Sequence, residues 1–370
     1  MDKTELPESI SRTFKVESGL GSGGSGAVYK AWHPRLRKHV VIKELKHSSF
    51  SDMEARRNEA EALKNVKSEY LPRVFDFLTE EDRTFTVMDF IEGESFDKIQ
   101  TRGHGFTGAQ VVKWYGQLSS ALQAIHRQNV CHRDIKPANI MLTPGGDVCL
   151  IDFNAALVGG NGLRLVSRSL GYASPEQYEI FEQTERVRER AREAVSNAAA
   201  DTGENPDTML LEGDSVTELT DARECFFSCD PVAGMQNPAS EMLNMTESQR
   251  SIDWKRSDIY SLGATMYHLL TGKRPPQKAE ELASVFHTGR GGDDIMRIIE
   301  RSMRRNPAER FATAAELSFA ISNIGNARQR QKPARAIIAV TILSSAMLVF
   351  FLRRKKNACD ASVLYSGYEI

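Results

Sequence analysis

The 370-residue chain has few cysteines, almost no net charge and no apolar run near its start. Its five cysteines are an odd number, so a disulfide framework is not expected and a reducing compartment is indicated. Two of them, Cys131 and Cys149, lie in apolar settings and are predicted to be small core residues. Residues 1–13 are charged, which argues against a signal peptide. The formal charge of -1 argues against a nucleic-acid binder, and the length allows one large domain.

What is present is an octapeptide, HRDIKPAN, at residues 132–139, followed thirteen residues later by Asp152. It supplies an acid, a lysine and an amide in one short loop, and Asp152 adds a second acid after a predicted strand. Phosphoryl transfer from a metal-bound nucleotide needs a carboxylate to orient the attacking hydroxyl, a cation at the γ-phosphate and oxygen ligands for Mg²⁺. The pattern therefore indicates phosphoryl transfer, and it resembles the protein kinase family, with Lys136 typical of its serine/threonine branch. Two further motifs, Leu-Pro-Arg-Val at residues 71–74 and Ser-Pro-Glu-Gln at residues 174–177, resemble its bacterial, Hanks-type members.

A glycine-rich segment, GSGGSGAV at residues 21–28, resembles the phosphate-binding loop of that family. Glycines let backbone N–H groups approach phosphates that a Cβ would hold off. The segment lies between two predicted strands and no helix follows it directly, which disfavours a Rossmann dinucleotide site. The resemblance implies that the loop binds ATP through Gly21, Ser22, Gly23, Gly24, Ser25, Gly26 and Val28.

The third predicted strand carries Lys43, fifteen residues after Val28. The resemblance implies that Lys43 contacts the α- and β-phosphates, while Val41 and Met88 line the nucleotide pocket. A glutamate on the following helix, predicted over residues 53–66, should pair with this lysine. The candidates are Glu54, Glu59 and Glu61; Glu59 is favoured because it shares a helical face with the apolar Leu63.

The resemblance assigns the remaining chemistry to four side chains. Asp134 orients the substrate hydroxyl and accepts its proton, and Lys136 neutralises the γ-phosphate. Asn139 and Asp152 hold Mg²⁺, with Mn²⁺ as an alternative ion. His132 is interpreted as a packed residue that stacks on Phe153.

Three further residues have structural roles by the same resemblance. Glu176, in a Ser-Pro-Glu motif, is expected to pair with Arg310, and Asp258 is expected to brace the catalytic loop. Arg133 places a cation beside Asp134 that could bind a phosphate on the activation segment. Two serines of that segment, Ser167 and Ser169, are the candidates for phosphorylation, and Ser169 is alternatively a residue that shapes the substrate site.

The implied fold is α+β, a two-lobed kinase domain followed by a C-terminal transmembrane helix. The predicted boundaries are an N-terminal tail at 1–13, a kinase domain at 14–324, a basic linker at 325–335, a membrane helix at 336–352 and a tail at 353–370. Within the domain we expect an N-lobe at 14–92, a C-lobe at 93–324 and an acidic insertion at about 179–252.

The membrane prediction rests on residues 336–352, seventeen residues without a charge between Arg335 and a basic run at 353–356. At 1.5 Å per residue a helix of this length spans ~25 Å, the short end of what crosses a hydrocarbon core. A buried core helix is the alternative. Both flanks are basic, so charge does not decide the orientation.

The sequence therefore predicts a membrane-anchored serine/threonine protein kinase that uses ATP and Mg²⁺ and acts on protein substrates. The kinase domain is expected in the cytoplasm, where ATP is found. Activation is expected through dimerisation, lipid or a partner protein, and no nucleic acid is involved. Two alternatives remain: a membrane-tethered pseudokinase scaffold, suggested by Val41 and Asn154, and a small-molecule phosphotransferase, which the glycine-rich loop and Ser-Pro-Glu motif oppose.

Overall fold

The structure is a computed structural model and describes residues 6–23, 26–45, 57, 61–80, 83–153, 157–158, 169–202, 252–276 and 294–324. The chain divides into two compact units, residues 1–319 and 320–370. The second unit is described only over residues 320–324, which are helical.

The described part of the N-terminal lobe is built on an antiparallel sheet of five strands in the order β1-β2-β3-β5-β4. Its elements are α1 (Glu8–Thr13), β1 (Lys15–Gly23), β2 (Gly26–His33), β3 (Lys38–Leu45), β4 (Val74–Glu80) and β5 (Arg83–Asp89). Residues 61–64 are helical and belong to the helix predicted over 53–66. The predicted five-stranded lobe is confirmed.

Helix α1 covers one face of this sheet. Ile10 of the helix is 1% exposed. The apolar cluster that contains it also includes Phe14, Ala31, Val40, Ile42, Phe85 and Val87. Alternate residues of a strand point to opposite faces, so Val41 and Lys43 lie on the other side of the sheet. Residues 8–13, expected to be part of a tail, thus pack on the lobe. The sequence did not predict this helix because one buried residue gives no apolar periodicity.

The C-terminal lobe is mainly helical in its described part, which confirms the α+β, two-lobed class. Short strands form a three-stranded sheet, β6-β8-β9, and a two-stranded pair, β7 with β10. The elements are β6 (Glu94–Ser95), α2 (Phe96–Thr101), α3 (Gly108–Arg127), β7 (Val130–Cys131), β8 (Ile140–Leu142), β9 (Val148–Leu150), β10 (Leu157–Val158), α4 (Pro175–Thr202), α5 (Trp254–Thr271) and α6 (Asp294–Ser302).

Helices α3 and α5 of the C-terminal lobe have local signals at their ends. Thr107 caps α3: its hydroxyl accepts from the Gln110 N–H at 3.3 Å, and the Gln110 side chain accepts from the Thr107 N–H at 2.9 Å. This reciprocal capping box satisfies N–H groups that have no helical partner. Helix α5 ends at Gly272, whose φ of 69° is left-handed and favours glycine.

Several predicted segments fall outside the described residues. The insertion was expected from about residue 179, which lies within α4, and residues 203–251 are not described. The linker at 325–335, the membrane helix at 336–352 and the tail at 353–370 also lie outside. No helix in the described ranges is long and apolar enough to cross a membrane.

The close packing of α5 on α6 predicts a large effect of one added methyl group. A Cβ on Gly263 would lie 2.7 Å from the Ser302 Cβ and 3.2 Å from the Met303 Cγ. We expect Gly263→Ala to lower the free energy of unfolding by about 1–3 kcal/mol, since overpacking forces the helices apart. Urea denaturation measures this.

Gly108→Ala is the matched control. The added Cβ would meet only Leu270 Cδ1, at an ordinary 3.9 Å, at the start of α3. It should leave stability unchanged or raise it by up to about 1 kcal/mol. Equal destabilisation by both substitutions would contradict the packing argument.

Candidate active site

Four of the residues predicted to bind ATP share one face of the N-terminal sheet. In the strand register Val28 is opposite Lys43, and Val41 is opposite Met88. Residues paired across antiparallel strands lie on the same face, and so do residues two apart in one strand. The register therefore brings Lys43 and the three apolar side chains together, on the side of the sheet away from α1.

The described residues of the glycine-rich segment are the end of β1 and the start of β2. Gly21 pairs with Val28, Ser22 with Ala27 and Gly23 with Gly26. Gly24 and Ser25 lie outside the described residues. Gly26 has a φ of 121°, and a Cβ there would lie 1.9 Å from the carbonyl oxygen of Glu44. Glycine is thus required at this position for β2 to run against β3.

The Lys43 ammonium forms an ion pair with the Asp152 carboxylate. Lys43 is 7% exposed, while the Asp152 side chain is about one-third exposed. Asp152 follows β9 with a left-handed φ of 70°. This contact joins the N-terminal sheet to the C-terminal lobe. Glu59, the predicted partner of Lys43, lies outside the described residues, so that pairing stays a prediction.

Asp134 is the centre of a hydrogen-bonded cluster. Its carboxylate accepts from the Ser169 hydroxyl at 2.5 Å, the Lys136 ammonium at 2.8 Å and the Asn139 amide at 3.1 Å. The Lys136 ammonium also donates to the Ser169 hydroxyl at 3.1 Å. The structure therefore brings together the three predicted residues of the octapeptide and adds a serine from the activation segment.

The protonation of Asp134 is set by opposing effects. Burial disfavours the charged carboxylate, but the Lys136 ammonium and the hydrogen bonds from Lys136 and Ser169 outweigh burial and lower the pKa of Asp134. The carboxylate is therefore an ionised acceptor at neutral pH.

Asp258 of α5 braces the catalytic loop, as predicted. Its carboxylate accepts from the backbone N–H groups of His132 at 2.8 Å and Arg133 at 2.7 Å, and it contacts the His126 imidazole at 2.9 Å. The predicted contact between His132 and Phe153 is also present, with ring centroids 5.0 Å apart.

The predicted pair between Glu176 and Arg310 is confirmed as a bidentate contact of 2.6 and 2.8 Å. Arg310 is 1% exposed and also donates to three backbone carbonyls. Such a planar two-point contact fixes the start of α4, directly after the activation segment.

The expected contact between Arg133 and a phosphate on the activation segment stays a prediction, because residues 154–156 and 159–168 of that segment lie outside the described residues. Arg133 is buried, and its guanidinium lies 4.2 Å from the centre of the Trp254 ring. Of the two candidate phosphorylation sites, Ser167 lies outside the described residues, and the Ser169 hydroxyl donates a hydrogen bond to Asp134. The alternative in which Ser169 shapes the substrate site therefore agrees with the geometry.

Comparison with known proteins supports the same assignment. Residues 14–187 match the family model described as the protein kinase domain. The serine/threonine-protein kinase PknA of Corynebacterium glutamicum is 24% identical over 90% of this chain and 60% of its own length. A probable serine/threonine-protein kinase of Clostridium acetobutylicum is 29% identical over 45% of this chain and 27% of its own, and human Nek5 is 33% identical over 44% and 24%.

Residues 14–187 therefore match a protein kinase domain, and the bacterial relatives support the Hanks-type serine/threonine branch of that family. The enzyme class of this family is ATP-dependent protein phosphotransferase. The chain spans 27%, 24% and 60% of the length of the first three relatives it matches. The family model ends at residue 187, yet Asp258 and Arg310, which lie beyond it, make the contacts that the kinase resemblance implies.

The donor set of the kinase site fits the divalent metal that the family uses. Asn139 is 5% exposed, and its amide nitrogen donates to Asp134, which leaves the amide oxygen as the ligand atom. The Ile151 N–H donates to the backbone carbonyl oxygen of Asn139 at 2.8 Å. This hydrogen bond places Asp152, the next residue, close to Asn139. A carboxylate and an amide oxygen are ligands that Mg²⁺ prefers, so Asp152 and Asn139 would hold the ion.

A second group of potential metal ligands lies deeper in the lobe: His126, Cys131 and Asp258. All three are buried, and the Asp258 oxygens already accept three hydrogen bonds. Burial raises the pKa of the Cys131 thiol, which opposes the thiolate that a metal would need. Cys131 and Cys149 are both buried and free of disulfides, as expected of core residues.

Two contacts of the site were not anticipated. Gln177 donates from its amide to the Arg133 carbonyl at 2.9 Å, and Trp254 lies against the Arg133 guanidinium. The only sequence signal for Gln177 is its place directly after the Ser-Pro-Glu motif. Trp254 stands alone ahead of an apolar helix, where it reads as an ordinary core residue.

The pKa of Asp134 should respond to Ser169 specifically. Ser169→Ala removes a hydrogen bond to the carboxylate, so we expect the pKa of Asp134 to rise. Carbon-13 NMR titration of labelled aspartate measures the change. Ser169→Thr keeps the hydroxyl and should keep the lowered pKa, and Ser119→Ala, a buried serine outside the site, should not alter it. An unchanged titration in Ser169→Ala would refute the assignment.

Proposed function

We propose that this protein is an active serine/threonine protein kinase that transfers the γ-phosphate of ATP to hydroxyl groups of protein substrates. The observation that carries this proposal is the cluster around Asp134. An ionised carboxylate, a lysine and a hydroxyl-bearing residue lie within hydrogen-bonding distance of one another. The ion pair of Lys43 with Asp152 adds the two charged groups expected to contact the nucleotide and the metal.

The proposed roles follow from charge and position. Asp134 accepts a hydrogen bond from the substrate hydroxyl and orients its oxygen toward the phosphate. Lys136 stabilises the charge on the transferred group, and Lys43 contacts the nucleotide phosphates from the other lobe. Bound Mg²⁺ would neutralise phosphate charge. Positioning and electrostatic stabilisation of this kind carry most of the catalysis in phosphoryl transfer.

A scaffold without activity has less support. Such a protein could lose any of Lys43, Asp134, Asn139 or Asp152 without consequence. All four are present, Lys43 is paired with Asp152, and Asn139 is hydrogen-bonded to Asp134, which supports an active enzyme. Val41 lies on the pocket face of β3, paired with Met88, which is compatible with an apolar wall.

The membrane anchor is a further part of the proposal. It is supported by the uncharged run at residues 336–352 and its basic flanks. The kinase domain would then face the cytoplasm, where it meets ATP, and the residues after 352 would lie across the membrane. Dimerisation through this segment is one route to activation.

Phosphotransfer is tested with the full-length protein, Mg²⁺, labelled ATP and a generic protein substrate. We expect incorporation into serine or threonine, and a fall of about 10³-fold or more in Asp134→Asn, because the amide can no longer orient the hydroxyl as an anionic acceptor.

Asp147→Asn is the matched control. Asp147 is an exposed aspartate in the turn between β8 and β9, where it pairs with Lys113. This variant should keep full activity. A correctly folded wild-type protein that labels no substrate, including itself, would exclude the kinase proposal.

The anchor is tested by introducing charge into the apolar run. Leu343→Lys combined with Val349→Lys should shift the protein from the carbonate-resistant membrane fraction to the supernatant, because a lysine near the centre of the run, as at position 343, costs about 2.5–3.5 kcal/mol. Leu343→Ile with Val349→Ile is the control and should stay in the membrane. Wild-type protein that extracts fully with carbonate would contradict the anchor.

A further inference from the structure

The residue directly before the catalytic aspartate has a conformation that needs support. Arg133 has a φ of 65°, in the left-handed region that a long side chain rarely adopts. Such a conformation persists only where surrounding contacts over-determine it. Any loosening of Arg133 would pass directly to Asp134, the next residue in the loop.

Three groups of the C-terminal lobe hold Arg133. Asp258 accepts from its backbone N–H at 2.7 Å, and the Gln177 amide donates to its carbonyl at 2.9 Å. Its guanidinium lies over the face of Trp254, 4.2 Å from the ring centre. The hydrogen bonds with Asp258 and Gln177 hold the backbone of Arg133, and the ring of Trp254 contacts its side chain.

Trp254 is itself firmly placed. It is the first residue of α5, four residues before Asp258, and it is 6% exposed. It packs in an apolar cluster with Cys131 of β7 and Ile180 of α4. Helix α5 thus contacts Arg133 twice, through the Asp258 carboxylate and through the Trp254 ring.

A cation held over an indole face away from water is strongly attracted to it. The sequence indicated that the cation of Arg133 could bind a phosphate on the activation segment. In the structure this guanidinium is buried against Trp254.

We infer that Trp254 is a positioning residue of the catalytic loop: its ring holds the Arg133 side chain and so orders Asp134 without a phosphate on the activation segment. This inference rests on the proposed kinase activity. It adds a mode of activation in which the loop is ordered by the fold.

The test compares steady-state kinetics of full-length variants well below their unfolding temperatures. Trp254→Leu keeps an apolar side chain but removes the ring, and it should lower kcat about tenfold with little change in the KM for ATP. Trp254→Phe keeps an aromatic face and should recover most of kcat. Trp114→Leu, which removes a buried tryptophan that packs on Phe96 and Phe106, controls for general destabilisation and should keep kcat.

A double-mutant cycle identifies the route of the effect. In an Arg133→Met background the cation is gone, so Trp254→Leu should change kcat by less than about twofold. The coupling between Arg133 and Trp254 should also appear in the free energy of unfolding of the same variants. This measurement does not require an active enzyme. Ser167→Ala, which removes a candidate phosphate acceptor, should leave kcat unchanged.

The outcomes separate the two claims. An inactive wild-type protein overturns the proposed function and this inference together. An active wild type in which Trp254→Leu acts equally with or without Arg133, or in which Ser167→Ala loses as much kcat as Trp254→Leu, overturns this inference alone.

Discussion

The buried carboxylate of Asp258 is the fixed point from which the rest of the site is built. It is fully buried, and a charge in that position is tolerated only when its oxygens are hydrogen-bonded. Here two backbone N–H groups of the catalytic loop and the His126 imidazole satisfy it. Helix α5 therefore sets the position of the catalytic loop. Helix α5 is in turn held by its close packing on α6 at Gly263. Precision at Asp134 is thus a property of the helical core.

The site also contains two residues with strained backbone angles, one in the catalytic loop and one after β9. Arg133 and Asp152 both have left-handed backbone angles, of 65° and 70°. Each is held by a charge contact: Arg133 by the Asp258 carboxylate, and Asp152 by the Lys43 ammonium. Backbone strain at a functional site is stable only when such contacts outweigh it. The Lys43 contact has a further consequence, because it ties the position of one strained loop to the opposite lobe.

The chemical groups of the site were predictable from sequence because they lie in short motifs whose internal spacing is fixed. The position of Lys43, Asp134, Asn139 and Asp152 followed from such motifs, and α3 from its apolar periodicity. Contacts that only tertiary folding creates were not predictable. Trp254 meets Arg133 although the two residues lie far apart in the sequence. Helix α1 has one buried residue, too few for a periodic signal. The pairing of Glu59 stays a prediction, because that residue lies outside the described ranges.

The lowered pKa of Asp134 decides what kind of catalyst this carboxylate can be. A carboxylate stabilised by Lys136 and Ser169 is a weak base, since the contacts that favour its charge disfavour proton uptake. Phosphoryl transfer passes through a loose transition state in which the attacking oxygen has formed little bond, so its proton need not leave early. The cluster is therefore better suited to aim the hydroxyl than to remove its proton. The proposed catalysis should therefore be sensitive to the backbone at Arg133, because orienting the hydroxyl depends on the geometry of the carboxylate.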